Sequence, residues 1–250
     1  MNGSKMILRS PRIFRVFLGV ALAATLLSSP VPAVQQVEIV NSTINFGRVT
    51  QSKIITSSFF VKSTGNEPVK VTMLWSGCGC TEVALTDSII APGDSLRIPI
   101  RFSTGRMQGP VVKKPEIQTS ASKSDLIFIS LMAEVMMKPE DGDPVVMLPD
   151  VVDVSQFSEK VRRIDKFTLQ NKSNEDLRVI LADSALRSFE IKVDSVIPAG
   201  QTIEGKLRVK DDKIATDFEE SVTFMFKGKD EYFYTLPVYR RYRPSGVDDK

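Results

Sequence analysis

Phe59 to Val71 reads FFVKSTGNEPVKV, and Phe167 to Val179 reads FTLQNKSNEDLRV, 108 residues further on. Asn66-Glu67 falls on Asn174-Glu175, and Lys70-Val71 on Arg178-Val179. A second pair of blocks follows in the same order. Ile89 to Phe102 reads IIAPGDSLRIPIRF and Val196 to Val209 reads VIPAGQTIEGKLRV, at an offset of 107. Two blocks in one order at nearly one offset read as two copies of one unit, with a one-residue deletion between the blocks. The competing reading is chance likeness between generic strands.

The period inside each copy is that of strands. Leu96, Ile98, Ile100 and Phe102 alternate with Arg97, Pro99 and Arg101, a pattern that buries one face and wets the other. Pro99 has no N–H for a ladder, so this strand is expected at an edge. Ile55, Ser57, Phe59, Val61 and Val69, Val71, Met73, Trp75 repeat the alternation, as do Ile203, Leu207, Val209 and Val222, Phe224, Phe226. Thr64-Gly65-Asn66, Pro92-Gly93-Asp94 and Ala199-Gly200-Gln201 punctuate the runs as turns. Lys138 to Pro144 holds two prolines, a glycine and three acids and reads as a connection; Glu140 to Asp143 lacks the ligand spacing of a calcium loop. The expected fold is all-β: two tandem immunoglobulin-like β-sandwich domains after a signal peptide. The boundaries are 1–33 for the leader, 34–138 for the first domain, 139–147 for the linker, 148–243 for the second domain and 244–250 for a tail.

The leader reading rests on composition. Lys5, Arg9, Arg12 and Arg15 precede an apolar run from Val16 to Leu27, and small residues at Val31 and Ala33 place a cut after Ala33. Twelve residues are too few to span a bilayer, which takes about 20, although an uncleaved anchor is the other reading. Export to the periplasm or beyond follows. The chain is +3 overall, but the leader carries four of its basic residues and no acid, so the rest is close to −1. That balance gives no nucleic-acid footprint. The run from Tyr232 to Arg243 interleaves aromatics with arginines and reads as a last strand with a solvated basic end, rather than as a stacking platform for bases. Asp-Ser-aliphatic tripeptides at Asp87, Asp94, Asp183 and Asp194 read either as turn caps or as acceptors of bacterial O-glycosylation.

Chemistry concentrates at Ser76-Gly77-Cys78-Gly79-Cys80-Thr81, which holds both cysteines of a chain without histidine. Three readings stay open. Cys78 and Cys80 are small apolar residues, a bridged redox-active pair, or a dithiol clamp for Cu or Zn. A bridge across one residue closes too short a loop to contribute more than about 2 kcal/mol, so it would be a redox device rather than a staple. Two thiolates are half of a tetrahedral site; Glu82 is a nearby oxygen, and spacing does not select it. By the internal match Cys78 falls on Leu186 and Cys80 on Ser188, which expects Cys78 in apolar surroundings and Cys80 nearer water. The absence of histidine excludes Ser-His-Asp and Cys-His catalysis, and no phosphate-cradling glycine loop occurs. The expected role is non-catalytic: an envelope protein that binds a partner protein or peptide by edge-strand pairing.

The first copy resembles the bacterial DUF1573 family. The matching residues are Phe46-Gly47-Arg48-Val49, Ser63-Thr64-Gly65-Asn66-Glu67-Pro68, Ser76 to Thr81 with Gly77, Gly79 and Thr81 flanking the sulfurs, Ile90-Ala91-Pro92-Gly93, and Thr104-Gly105 with Gly109. Ser63 stands where that family prefers asparagine. The resemblance spans about residues 40–138 and implies an exported immunoglobulin-like domain, similar to cilia-associated and major-sperm-protein domains, without an assigned activity. The second copy lacks the cysteines and matches only in outline.

Overall fold

The β-branched and aromatic alternation read above does form strands. The computed structural model describes residues 34–85, 88–122, 126–141, 143–182 and 186–243. The leader over 1–33, the tail over 244–250, and Asp87, Gly142 and Asp183 lie outside the described residues. The first lobe holds β1 (Val37–Val40), β2 (Thr43–Thr50), β3 (Ile54–Ser63), β4 (Val69–Trp75), β5 (Thr81–Val83), β6 (Ile89–Ile90), β7 (Ser95–Ser103), β8 (Gly109–Lys113), β9 (Glu116–Thr119), β10 (Ile127–Phe128) and β11 (Ser130–Met136). The second holds β12 (Val145–Leu148), β13 (Val152–Asp153), β14 (Ile164–Asn171), β15 (Leu177–Leu181), β16 (Phe189–Lys192), β17 (Val196–Ile197), β18 (Thr202–Val209), β19 (Phe218–Lys227) and β20 (Glu231–Arg240). The protein is all-β, and each lobe is an immunoglobulin-like sandwich.

One layer of the first lobe runs β1-β3-β7-β5 and one layer of the second runs β12-β14-β18-β16. Opposite them lie β2-β11-β8 with β10-β9-β4-β6, and β17-β15-β19-β20. The registers correspond residue by residue. Phe59 pairs with Ile98 and Phe167 with Gly205; Val69 pairs with Ile90 and Leu177 with Ile197; Val37 pairs with Ser63 and Val145 with Asn171. Gly93 and Gly200 turn at φ +81° and +69°, where only glycine is unstrained. β12 begins at Val145, inside the stretch expected as linker. Val145 and Met147 are buried and pair with β14, so the connection ends at Pro144 and the boundary moves there.

Each lobe has its own core. Phe46, Ile55, Phe59, Ile98, Phe102 and Leu131 pack in the first, and Phe167, Leu207, Phe224, Phe226, Tyr234 and Leu236 in the second. β7 is not the edge strand that Pro99 predicts: it lies between β3 and β5, and the proline is tolerated because β5 pairs only with Ile100 to Phe102 and stops short of it.

A parallel contact between β2 and β20 joins the lobes through one eight-stranded sheet. Gly47 makes this approach feasible: its φ is +61°, and an added Cβ would fall 2.0 Å from the backbone oxygen of Phe233. Across the seam Thr235 Oγ1 donates to the Phe46 carbonyl at 2.6 Å, and Arg48 lies over the rings of Tyr232 and Tyr234. Arg101 Nε and Arg241 Nη2 both donate to Glu219, at 2.9 and 2.6 Å. Lys53 and Thr50 meet Asp150 at 2.8 and 2.7 Å.

The basic end expected at the C-terminus is solvated only in part: the Arg241 and Arg243 side chains are 44% and 55% exposed, and Arg240 is the exception. Arg240 is fully buried, and its guanidinium donates to the carbonyls of Ile214, Val154 and Arg162 and to Gln156 Oε1. Arg241 pairs with Glu219 and Arg243 with Asp217.

Candidate functional site: the Cys-Gly-Cys corner

β4 enters the site through a change of face. A register shift between Val71 and Met73 puts Leu74 against the first core and turns Met73 and Trp75 outward. The expected alternation Val69, Val71, Met73, Trp75 therefore holds only to Val71. Leu74 is the apolar residue that takes up the inward period. Trp75, the only tryptophan of the chain, is left 54% exposed.

β4 runs beside β9, with Trp75 opposite Glu116, and Phe128 of β10 stands opposite the same Glu116 from the far side. Chain order makes β9 the continuation of β8 across Lys114-Pro115. β10 and β11 accompany β9 and β8 along one side. Along the other side β4 accompanies β9 only as far as Trp75. There the chain turns away through Ser76 to Cys80, and the lane it would have filled beside β8 is left without a strand among the described residues. Gly77, at φ +78°, makes the turn against Lys114, whose carbonyl lies 3.7 Å from where its Cβ would be. Trp75, Cys78, Val112, Lys113 and Lys114 line the resulting groove, with Val112 56% exposed.

Cys78 and Cys80 are joined by a disulfide, with Cα atoms 5.2 Å apart. This is closer than the ~6.6 Å that extended residues i and i+2 would keep, because the corner turns here. The corner is also pinned without sulfur. Thr81 N donates to Cys78 O at 3.3 Å, Ser103 N to Cys80 O at 2.8 Å, and Ser76 Oγ to Cys78 O at 3.2 Å. Thr81 is buried, and its hydroxyl lies 3.5 Å from Cys78 Sγ and 3.9 Å from Cys80 Sγ. A Cβ on Gly79 would meet no atom within 4 Å, so this flank is open.

The two sulfurs differ in the opposite sense from the sequence expectation. Cys80 packs against the first core and Cys78 lines the groove. Ser188, the match of Cys80, is itself buried, so a serine there does not mark a wet position, and Leu186, the match of Cys78, is only partly buried. In the bridged form the sulfurs are not thiolate ligands, and the Cu or Zn reading concerns the reduced pair. Glu82, the nearby oxygen, accepts from Arg101 at 3.0 Å. Among the described residues no three acidic, cysteine or histidine side chains cluster as a metal site.

A second concavity lies at the seam, where Thr56, Pro99 and Arg101 of the first lobe face Arg187, Glu219 and Glu220 of the second. The sequence carries no sign of it because these residues come from three separated strands, β3, β7 and β19, and from the loop before β16. Its charges are largely mutually engaged. Burial alone would raise the Glu219 carboxyl, but the hydrogen bonds from Arg101 and Arg241 outweigh it and hold the group below the usual range. Glu220 accepts the backbone N–H groups of Arg187 and Ser188.

Residues 37–135 match the family described as Protein of unknown function (DUF1573). This segment is a DUF1573 domain. It takes in the whole first lobe from β1 almost to the end of β11, with the disulfide corner and the open lane. No curated protein matches the chain. Among solved structures, a protein of unknown function from Porphyromonas gingivalis W83 is 8% identical and covers 81% of this chain and 99% of its own, at a TM-score of 0.34. The ASH / PapD-like domain 7 of human CEP192 is 13% identical, covers 46% and 96%, and has a TM-score of 0.33. The periplasmic chaperone SfaE is 12% identical, covers 83% and 100%, and has a TM-score of 0.32. Scores of this size bear no functional weight. Among the described residues no helix is long and apolar enough to cross a membrane.

Proposed function

We propose that this is an exported, non-catalytic binding protein whose DUF1573 domain takes an extended segment of a partner envelope protein into the lane beside β8. The observation behind this is the departure of β4 at Trp75, which leaves the outer side of β8 without a strand among the described residues. Adding a strand to such an edge satisfies backbone donors and acceptors, while pockets for alternate side chains give selectivity. Five residues of β8 offer about 17 Å of edge. Val112 and Trp75 favour an apolar residue in the segment, and Lys113 and Lys114 favour acidic ones. The two lobes are read as copies of one unit, supported by the matched registers. In the second copy the position of Val112-Lys113 is held by Glu219-Glu220, which serve contacts inside the molecule.

The test uses a panel of extended peptides alternating leucine or valine with aspartate or glutamate, titrated onto the chain lacking residues 1–33. Trp75 emission reports binding, and hydrogen exchange locates it. Protection gained by the β8 amides, and its loss in Val112→Glu, support the reading. Binding without protection at β8, or binding indifferent to Val112→Glu, overturns it.

A further inference from the structure

We infer that the Cys78–Cys80 bridge is an exchangeable two-electron acceptor for a dithiol, with Cys78 as the sulfur attacked and Cys80 as the leaving thiolate. This goes beyond strand binding and concerns a different group of the same corner.

Four observations point the same way. The bridge is not what holds the corner, since backbone bonds from Thr81 and Ser103 and the Ser76 hydroxyl fix both cysteine carbonyls, and the buried Thr81 anchors the following strand. The bond closes a loop across one residue, for which chain entropy predicts little stabilisation. Approach is one-sided: Cys78 lines the open groove, Gly79 puts no side chain in the way, and Cys80 is backed by the core. The surroundings suit thiolates. The Thr81 hydroxyl reaches both sulfurs, and Lys113 and Lys114 line the groove on which Cys78 opens. A hydroxyl donor and nearby cations both favour the charged form of a thiol.

The step balances as follows. A thiolate of the incoming dithiol attacks Cys78 Sγ, forming an intermolecular S–S bond as the Cys78–Cys80 bond breaks. The electron pair leaves on Cys80 Sγ, which takes the Thr81 hydrogen bond. The second thiolate of the dithiol then attacks its own partner sulfur in the mixed disulfide and releases Cys78 as a thiolate. The dithiol is oxidised to a disulfide, and the chain gains two electrons and, on protonation, two protons. Attack from the groove meets Cys78 first, so the roles of the sulfurs are not interchangeable.

The experiment treats the native chain lacking residues 1–33 with dithiothreitol, and separately with a reduced Cys-x-x-Cys protein. Intact mass after alkylation reports the pair, and Trp75 emission follows it in real time. The expected result is full reduction without denaturant by at least the small dithiol, full reversal on oxidation, and an unchanged circular dichroism spectrum. Reduction by the protein dithiol as well identifies a protein as the source; reduction by dithiothreitol alone identifies a small dithiol. In Cys80→Ser, the remaining Cys78 thiol should form a mixed disulfide with an aromatic disulfide reagent at least tenfold faster than the Cys80 thiol of Cys78→Ser. Thr81→Val should slow reduction of the bridge severalfold while the urea midpoint stays close to that of the parent. A bridge that reduces only in denaturant, or equal reactivity of the two single-cysteine variants, overturns the inference. Neither result touches strand binding, which is read through Val112→Glu.

Discussion

Gly47→Ala tests why the two sandwiches form one body. Two costs arise. The first is conformational: alanine at φ +61° loses about 1–2 kcal/mol relative to glycine. The second is steric. The new Cβ would stand 2.0 Å from the Phe233 oxygen and 2.2 Å from its carbonyl carbon. Both are backbone atoms that cannot rotate aside, so β20 must withdraw from β2 by an ångström or more. Withdrawal strains the Thr235 hydroxyl bond to the Phe46 carbonyl, now 2.6 Å, and the Arg48 contact with the Tyr234 hydroxyl, now 3.1 Å. A neutral hydrogen bond contributes about 1 kcal/mol and one to a charged group about 1.5–3. With the conformational cost, the expected loss is about 4 kcal/mol.

Urea unfolding measures this with two probes. Trp75 emission reports the first lobe alone, and circular dichroism reports both. In the parent the two transitions coincide, because the seam couples the lobes. In Gly47→Ala the midpoint falls and the two curves separate. Gly93→Ala is the control: its φ is +81°, but nothing lies within 4 Å of the added methyl, so it carries only the conformational cost. If Gly47→Ala loses no more than Gly93→Ala and its two probes still coincide, the seam is not set by close approach at Gly47 and the reasoning is wrong.

Arg240→Leu leaves the buried carbonyl of Val154 and the partly buried carbonyls of Arg162 and Ile214 without their donor and should cost about 3–5 kcal/mol in urea unfolding, at about 1–3 kcal/mol for each acceptor left unpaired. Acid should weaken the seam. Glu219 and Asp150 both titrate below the usual carboxylate range, because bonds from Arg101 and Arg241, and from Lys53 and Thr50, outweigh a burial that alone would raise them. A carboxyl depressed in the folded state stabilises fully above its unfolded value, near 4 for Asp and Glu, and loses that contribution as pH falls through the folded value. The urea midpoint should therefore drop below about pH 4, and less steeply in Glu219→Gln. Export predicts that chain recovered from the envelope begins at Val34, which N-terminal sequencing checks.

The strands were legible because alternation is a local property. Phe59, Ile98 and Phe102 face inward as the period requires, and the matched blocks carry the pairing of β3 with β7 over to β14 with β18. Three features were not legible, each for a physical reason. The bulge in β4 depends on which of Met73 and Leu74 finds room in the core, and both are apolar. The start of β12 was hidden by the prolines and acids before it, although Val145 and Met147 keep the strand period. The seam arises between strands nearly two hundred residues apart, Arg48 with Tyr234, and its trace in sequence was a glycine within Phe46-Gly47-Arg48-Val49. The cysteine run lies where the chain turns away after β4, but the vacant lane beside it follows from where β4 stops pairing with β9.

The same register position does different work in the two lobes, and this separates the open lane from ordinary surface. Val112 pairs with Met132 in the first lobe, and Glu219 pairs with Tyr239 in the second, 107 residues on. Glu219 lies against the other lobe, held by two arginines. Val112 faces a groove whose lining comes wholly from the first lobe. Glu219→Val should therefore release Arg101 and Arg241 from the seam and cost about 2 kcal/mol, a figure typical of charge-assisted bonds. Val112→Glu should change the urea midpoint by no more than a surface substitution, within about 0.5 kcal/mol, while removing peptide binding at β8. If Val112→Glu destabilises the fold as much as Glu219→Val, the position carries an internal contact in both lobes. The lane beside β8 is then part of the scaffold rather than a place kept for another chain.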